Sequence, residues 1–192
     1  MGRDLGALGG EVHAQAQAVL DFWFGEVPPD KRFARDDALD RTIAERFGAI
    51  RDAVLVSRAD GWRDDPDAIL AAIILLDQFS RNIHRGKDEA FAGDRLALAL
   101  ARLAIGMGWE ASLDAERRAF LYMPLMHAED RRSQELSLAC FAKLGDPKEL
   151  QYAREHADVI AQFGRFPSRN AALRRRSTPE EEAWLSRPGA GW

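Results

Sequence analysis

The sequence predicts an all-α protein folded as one domain, with no β-sheet. Apolar residues recur at spacings of three and four along most of the chain, the periodicity of an amphipathic helix. No useful length of chain alternates apolar with polar residues, as a half-buried strand would. The periodic segments are separated by short loops rich in Gly and Pro, which sets consecutive helices antiparallel to one another. The domain is assigned to residues 11–186, after a flexible glycine-rich N-terminus over 1–10 and before a tail over 187–192.

The elements follow in order. Periodicity places a first helix over 12–24, ending in the aromatic cluster Phe22, Trp23 and Phe24 before Gly25 and Pro28. A second carries the stripe Leu39, Ile43, Phe47, Ile50 and Val54. A third begins at the cap Asp65 and the first-turn proline Pro66, and residues 68–76 are unbroken apolar chain. Its face Leu70, Ile73, Ile74 then continues as Asp77 and Arg81, so a core-like stripe turns charged. A fourth helix spans Gly93 to Gly106. A fifth starts near Asp114 and should kink or stop at Pro124, and a sixth covers 130–144 before the C-cap glycine Gly145. Asp146-Pro147-Lys148-Glu149 and Thr178-Pro179-Glu180-Glu181 both read as capping boxes opening further helices, the first of which ends at Gly164.

Composition excludes several classes. With 192 residues, 46% hydrophobic and 30% charged, the chain has the balance of a soluble globular domain. A net charge of −4 argues against a dedicated nucleic-acid or anionic-membrane surface. No apolar run is long enough to span a bilayer, and the N-terminus has neither a signal-peptide nor a myristoylation pattern, so a cytoplasmic location is expected. The single cysteine, Cys140, fits a reducing compartment and reads as a small buried hydrophobe. P-loop, nucleophile-elbow, zincin and di-iron patterns are absent, so no metal and no cofactor is expected.

Three groups of residues stand out. Burying Asp77 and Arg81 is costly unless they are paired, so their helix end is either a structural ion pair or the floor of a polar pocket. Gln78 and Asn82 form a second i,i+4 pair beside them. His127 follows the proline-broken helix and precedes Glu129 and Asp130. It reads as an acid or base held by a carboxylate, or as a hydrogen-bonded structural histidine. Residues 163–177 hold Arg165, Arg169, Arg174, Arg175 and Arg176 with no acid, a local positive field suited to phosphate or carboxylate, or a basic face docked on acidic helices. The dipeptides Arg81-Asn82 and Arg169-Asn170 echo each other.

Four segments resemble a known family. Val19-Leu-Asp-Phe-Trp-Phe-Gly25, Leu76-Asp-Gln-Phe-Ser-Arg-Asn-Ile-His-Arg-Gly86, Phe163-Gly-Arg-Phe-Pro-Ser-Arg-Asn170 and Ser177-Thr-Pro-Glu-Glu181 are similar, in that order, to motifs of the bacterial domain-of-unknown-function 924 family. The resemblance implies a tetratricopeptide-like fold of helical hairpins and brings no settled activity. The family pattern usually has Pro where Ser80 stands and His where Ser168 stands, and it is less basic around Arg174 and Arg176.

The resulting expectation is a helical binding module whose pocket takes an anionic small molecule or an acidic peptide. Its lining would be Asp77, Gln78, Arg81, Asn82, Arg165, Arg169 and Asn170, with Trp23 and Phe166 as an apolar wall. One alternative is a hydrolase or isomerase of a small anionic substrate, with His127 as acid or base and Glu129 or Asp77 tuning it. A third reading is an RNA-associated protein using the arginine-rich segment, against which net acidity and the lack of a stacking motif both count. Oligomeric state leaves no mark in the sequence.

Overall fold

A computed structural model describes residues 5–188, and among these the fold is all-α with no strand. The helices are α1 (Leu5–Leu20), α2 (Asp37–Val56), α3 (Pro66–Ile74), α4 (Ser80–Ile83), α5 (Asp94–Gly106), α6 (Ala115–Met126), α7 (Arg131–Leu144), α8 (Pro147–Phe163) and α9 (Pro179–Leu185). A π-helical segment, Leu75–Phe79, joins α3 to α4 without a break, and another, Asp21–Glu26, extends α1. No helix among the described residues is long and apolar enough to cross a membrane.

The chain is organised around α3. Asp65 caps it through Oδ1, accepting from the N–H groups of Asp67 and Ala68. Every residue from Ala68 to Ser80 is buried, so the apolar run is a central helix covered on all sides rather than an amphipathic stripe. α1, α5 and α6 pack against it, and α2 packs against its π-helical continuation. Phe79, on that continuation, meets Trp23 edge-on at 5.3 Å and lies 5.2 Å from Phe47. The main hydrophobic cluster extends from α1 to α8, and a smaller one gathers Val159, Ile160 and Phe166.

Gly93 makes the closest approach in this packing. A Cβ there would lie 2.6 Å from the carbonyl oxygen of Leu76. Only glycine lets the start of α5 rest on the middle of the central helix.

Several sequence expectations are corrected. α1 begins at Leu5, ahead of position 12, because the segment Leu5–Gly10 is helical although its glycines hide the periodicity. Residues 1–4 of the proposed flexible N-terminus and 189–192 of the proposed tail lie outside the described residues. Pro124 does not stop α6 at its own position. The helix runs through it to Met126, placing the proline in the last turn. Asp146 caps α8 by accepting from the N–H groups of Lys148 and Glu149, but Glu149 does not reach back, so that start is a cap and not a box. The full box is at α9, where Thr178 and Glu181 bond reciprocally. Thr178→Ala should cost about 1 kcal/mol. An unchanged denaturant midpoint would contradict the role of that cap.

Cys140 is buried and its thiol is pushed up to about 11 by desolvation, which leaves it protonated and inert.

Candidate functional site

The buried charge on the central helix is the floor of a polar cluster built from four segments. Asp77 lies in the π-helical turn, a helix irregularity that often accompanies function. Its carboxylate accepts from the Nδ1–H of His127 at 2.8 and 3.0 Å and from the amide of Gln78, and pairs with Arg81 Nη1 at 3.0 Å. Burial alone would raise its pKa. The charge of Arg81, with hydrogen bonds from His127 and Gln78, outweighs that and holds it well below the ordinary range. An ionised Asp77 only accepts, so His127 carries its proton on Nδ1 and turns a bare Nε2 outward.

The position of His127 is set from two sides. It closes the C-terminus of α6, its N–H bonded to Met123 O at 2.9 Å. Gln134, buried on α7, donates at 2.8 Å to the carbonyls of both Met126 and Ala128, the residues flanking it. Burial lowers the imidazole pKa, and Arg81 and Arg169 add to this against the pull of Asp77. His127 is therefore neutral at pH 7, the state in which Nε2 can take a proton.

Asp94 brings the two distant arginines together. It occupies the first turn of α5, where the helix dipole favours a carboxylate. Arg81 lies 3.2 Å from each of its oxygens and Arg169 donates to Oδ2 at 3.1 Å. Arg169 also donates to the carbonyl of His127 at 2.9 Å, and its guanidinium stacks over Phe166 at 4.6 Å and Phe91 at 4.9 Å. Burial and the adjacent Arg81 push the Arg169 pKa down to about 10 against the pull of Asp94, Glu129 and Asp77. Arg81, facing Asp77 and Asp94 directly, is held up despite its burial.

These groups open on a cleft of about 1130 Å³ that Gln78, Arg81, Asn82, His127, His156 and Arg169 help to line. His156 adds a second imidazole, its ring 5.9 Å from that of His127 and its Nδ1 donating to Tyr152 O at 2.8 Å. Among the described residues no group of three or more His, Cys, Asp or Glu is disposed to hold a metal ion.

A family model described as a bacterial protein of unknown function (DUF924) matches residues 19–189. The chain belongs to the DUF924 family. It is also similar to a solved structure described as a protein of unknown function, ATU0120, from Agrobacterium tumefaciens. The two are 38% identical over 91% of this chain and 98% of that one, with a TM-score of 0.87. No curated protein matches the chain.

In this DUF924 chain the sequence-predicted residues divide sharply. Asp77, Gln78, Arg81, Arg169 and His127 meet in the cluster. Gln78 and Asn82 do not pair with each other: Gln78 turns to Asp77, and Asn82 donates to Asp40 on α2 at 2.7 Å while still edging the cleft. Arg165 and Asn170 face away. Both bind Glu181 at the start of α9, Arg165 through Nε at 2.6 Å and Asn170 at 3.1 Å, so they fasten the C-terminal helix. Glu129 does not touch His127. Arg175 holds it at 2.6 Å and the Phe166 N–H at 2.8 Å, and the carboxylate that orients His127 is Asp77. Trp23 lies in the core and Phe166 at the cleft. Within the arginine-rich segment Arg165, Arg169 and Arg175 are thus docked on acids.

Asp94 and His156 were not singled out from the sequence. The first looks like any first-turn acid, and the second sits in an apolar stripe with Tyr152, Val159 and Phe163. Burial and the neighbouring His127 hold the pKa of His156 down to about 3 from 6.5. A depressed histidine contributes stability above 6.5 that is lost as pH falls toward about 3, because the unfolded chain takes the proton first. His156→Gln should flatten that part of the acid-unfolding profile. Parallel profiles for variant and wild type would contradict a neutral buried His156.

Proposed function

We propose that the cleft binds a small anionic molecule, held by Arg81 and Arg169 beside His127. The observation that carries this reading is that two arginines far apart in sequence share Asp94 at the mouth of an Asp77–His127 pair. Guanidinium groups suit phosphate and carboxylate because they donate in a fixed fork. Here they are partly desolvated, which strengthens a charge-assisted contact. The two cations are balanced by Asp77 and Asp94, so an arriving anion leaves the cluster net negative unless His127 accepts a proton. Binding should therefore tighten as pH falls and take up a proton.

Calorimetry with inorganic phosphate, small phosphate-bearing metabolites and carboxylates tests this, run in buffers of different ionisation enthalpy. Arg169→Ala and Arg81→Ala should each weaken binding at least tenfold. Equal binding by wild type and both variants would contradict the reading.

A second reading is favoured by one observation. A neutral imidazole with Nδ1 on a buried carboxylate and Nε2 toward a cleft is the geometry of a general base. The bound anion would then be a substrate, for a hydrolase or isomerase. A substrate screen in which His127→Ala abolishes turnover but retains anion binding would support it, and unaffected turnover would end it.

The packing of α6 on α7 and of α7 on α8 supports a tetratricopeptide-like stacking of helical hairpins around this cleft. A single, buried cysteine supports a reducing, cytoplasmic setting.

A further inference from the structure

The neutral amides on the cleft wall have their direction fixed by acids behind them. Gln78 and Asn82 stand at i and i+4 along the end of the central helix, and both edge the cleft. Gln78 donates its Nε2–H to Asp77, and Asn82 donates its Nδ2–H to Asp40 at 2.7 Å. A carboxylate only accepts, so each side chain must turn its NH2 to the acid and its oxygen the other way. Gln78 Oε1 and Asn82 Oδ1 accept from no described residue, and neither is shut off from solvent. The two residues are only 8% and 9% exposed, so the little surface they show the cleft presents acceptors. The cations beside them are already occupied. Arg81 faces Asp77 and Asp94, and Arg169 spends hydrogen bonds on Asp94 and the His127 carbonyl. An anionic head on this cluster therefore finds little that separates one anion from another, and discrimination falls to the two amide oxygens.

We infer that the ligand is a hydroxyl-bearing anion, a sugar acid or sugar phosphate in chemical type, whose O–H groups donate to Gln78 Oε1 and Asn82 Oδ1 while its charged head lies at Arg81 and Arg169. This rests on the anion-binding reading of the same cleft and adds the substrate class. A body without hydroxyls would strip water from two acceptors and give them no donor. An unmet polar group of this kind discriminates more strongly than a lost apolar contact. An ammonium also donates, but it would enter beside two guanidinium groups. A hydroxyl carries no charge, and it can donate to an amide oxygen while accepting from an arginine.

The test is calorimetry with pairs that differ in hydroxyls: hexanoate against gluconate, and hexyl phosphate against sorbitol phosphate. Sorbitol is the neutral polyol and aminohexanoate the ammonium arm. Each acceptor met by a hydroxyl should tighten binding by about three- to tenfold, so gluconate should bind well over tenfold more tightly than hexanoate. The carboxylate and phosphate pairs report which head is preferred. Asn82→Ala and Gln78→Ala should each cut the preference for gluconate by about three- to tenfold. Asp40 keeps two bonds from Arg85 at 2.9 Å in the first variant, and Asp77 keeps Arg81 and His127 in the second. Urea unfolding checks that both are folded. Arg169→Ala should weaken every anion. Gluconate no tighter than hexanoate, with Arg169→Ala weakening both, would overturn the hydroxylated ligand and leave the anion site standing. A preference for gluconate that survives in both amide variants would overturn the placement of the hydroxyls. Aminohexanoate tighter than gluconate would overturn the choice of hydroxyl as donor. Sorbitol bound as tightly as gluconate and indifferent to Arg169→Ala would overturn the anion reading beneath it. No binding of any probe would overturn both.

Discussion

Asp77→Ala should destabilise the protein by about 3–5 kcal/mol, the usual cost of removing one partner from a buried ion pair. The substitution strips Arg81 of its nearest countercharge, leaves the Nδ1–H of His127 without an acceptor, and frees the amide of Gln78. It also opens a void in the π-helical turn, where every neighbour from Leu75 to Phe79 is buried. Asp77→Asn separates the causes. It fills the space but cannot neutralise Arg81, and it should recover part of the stability while weakening control of the His127 tautomer. Urea unfolding reads both. A loss under about 1 kcal/mol for Asp77→Ala would mean that the carboxylate is solvated and the cluster open, against the burial that defines it.

Gly93→Ala should have the second-largest effect. Its Cβ would approach the Leu76 carbonyl oxygen to 2.6 Å, and a backbone oxygen in the middle of a buried helix cannot turn aside. The start of α5 must shift, and overpacking of this kind typically costs about 1–3 kcal/mol. The next residue is Asp94, so the shift carries the shared carboxylate away from Arg81 and Arg169. A lower melting temperature should therefore accompany weaker anion binding. Gly48→Ala is the control: that glycine lies inside α2 with nothing within 4 Å of the added Cβ, and the change should stabilise by about 0.5–1 kcal/mol. Gly93→Ala at wild-type stability would contradict the close contact between α5 and the central helix.

The helices and their caps were legible because they obey local rules. Asp65, Asp146 and Thr178 each cap a helix through the side chain, as does Asp114 at the start of α6, and Gly145 and Gly164 end helices at positive φ. The change of character at Asp77 was legible because charge on a core face demands a partner. What local rules could not give was the identity of the partners. Asp94, far in sequence from both His127 and Arg169, is only a first-turn acid until the fold brings α5 onto α3. Arg165 and Arg169 differ by one helical turn in sequence, yet the short 3₁₀ turn Pro167–Arg169 sends one to Glu181 and the other to the cleft. Glu129 was paired with His127 by proximity in sequence, but residues two apart around a helix end point in different directions, and Glu129 turns to Arg175.

The most direct test of the account is the titration of His127, followed by nitrogen NMR in the presence and absence of a saturating anion. Without the anion, His127 should be neutral at pH 7 with its proton on Nδ1, its pKa below the ordinary 6.5. Asp77, Arg81, Asp94, Arg169 and His156 surround it, and their formal charges cancel while both imidazoles are neutral. A bound anion should raise the His127 pKa, and Arg169→Ala should abolish that rise. A proton on Nε2 in the free protein, or a titration indifferent to the anion, would contradict it.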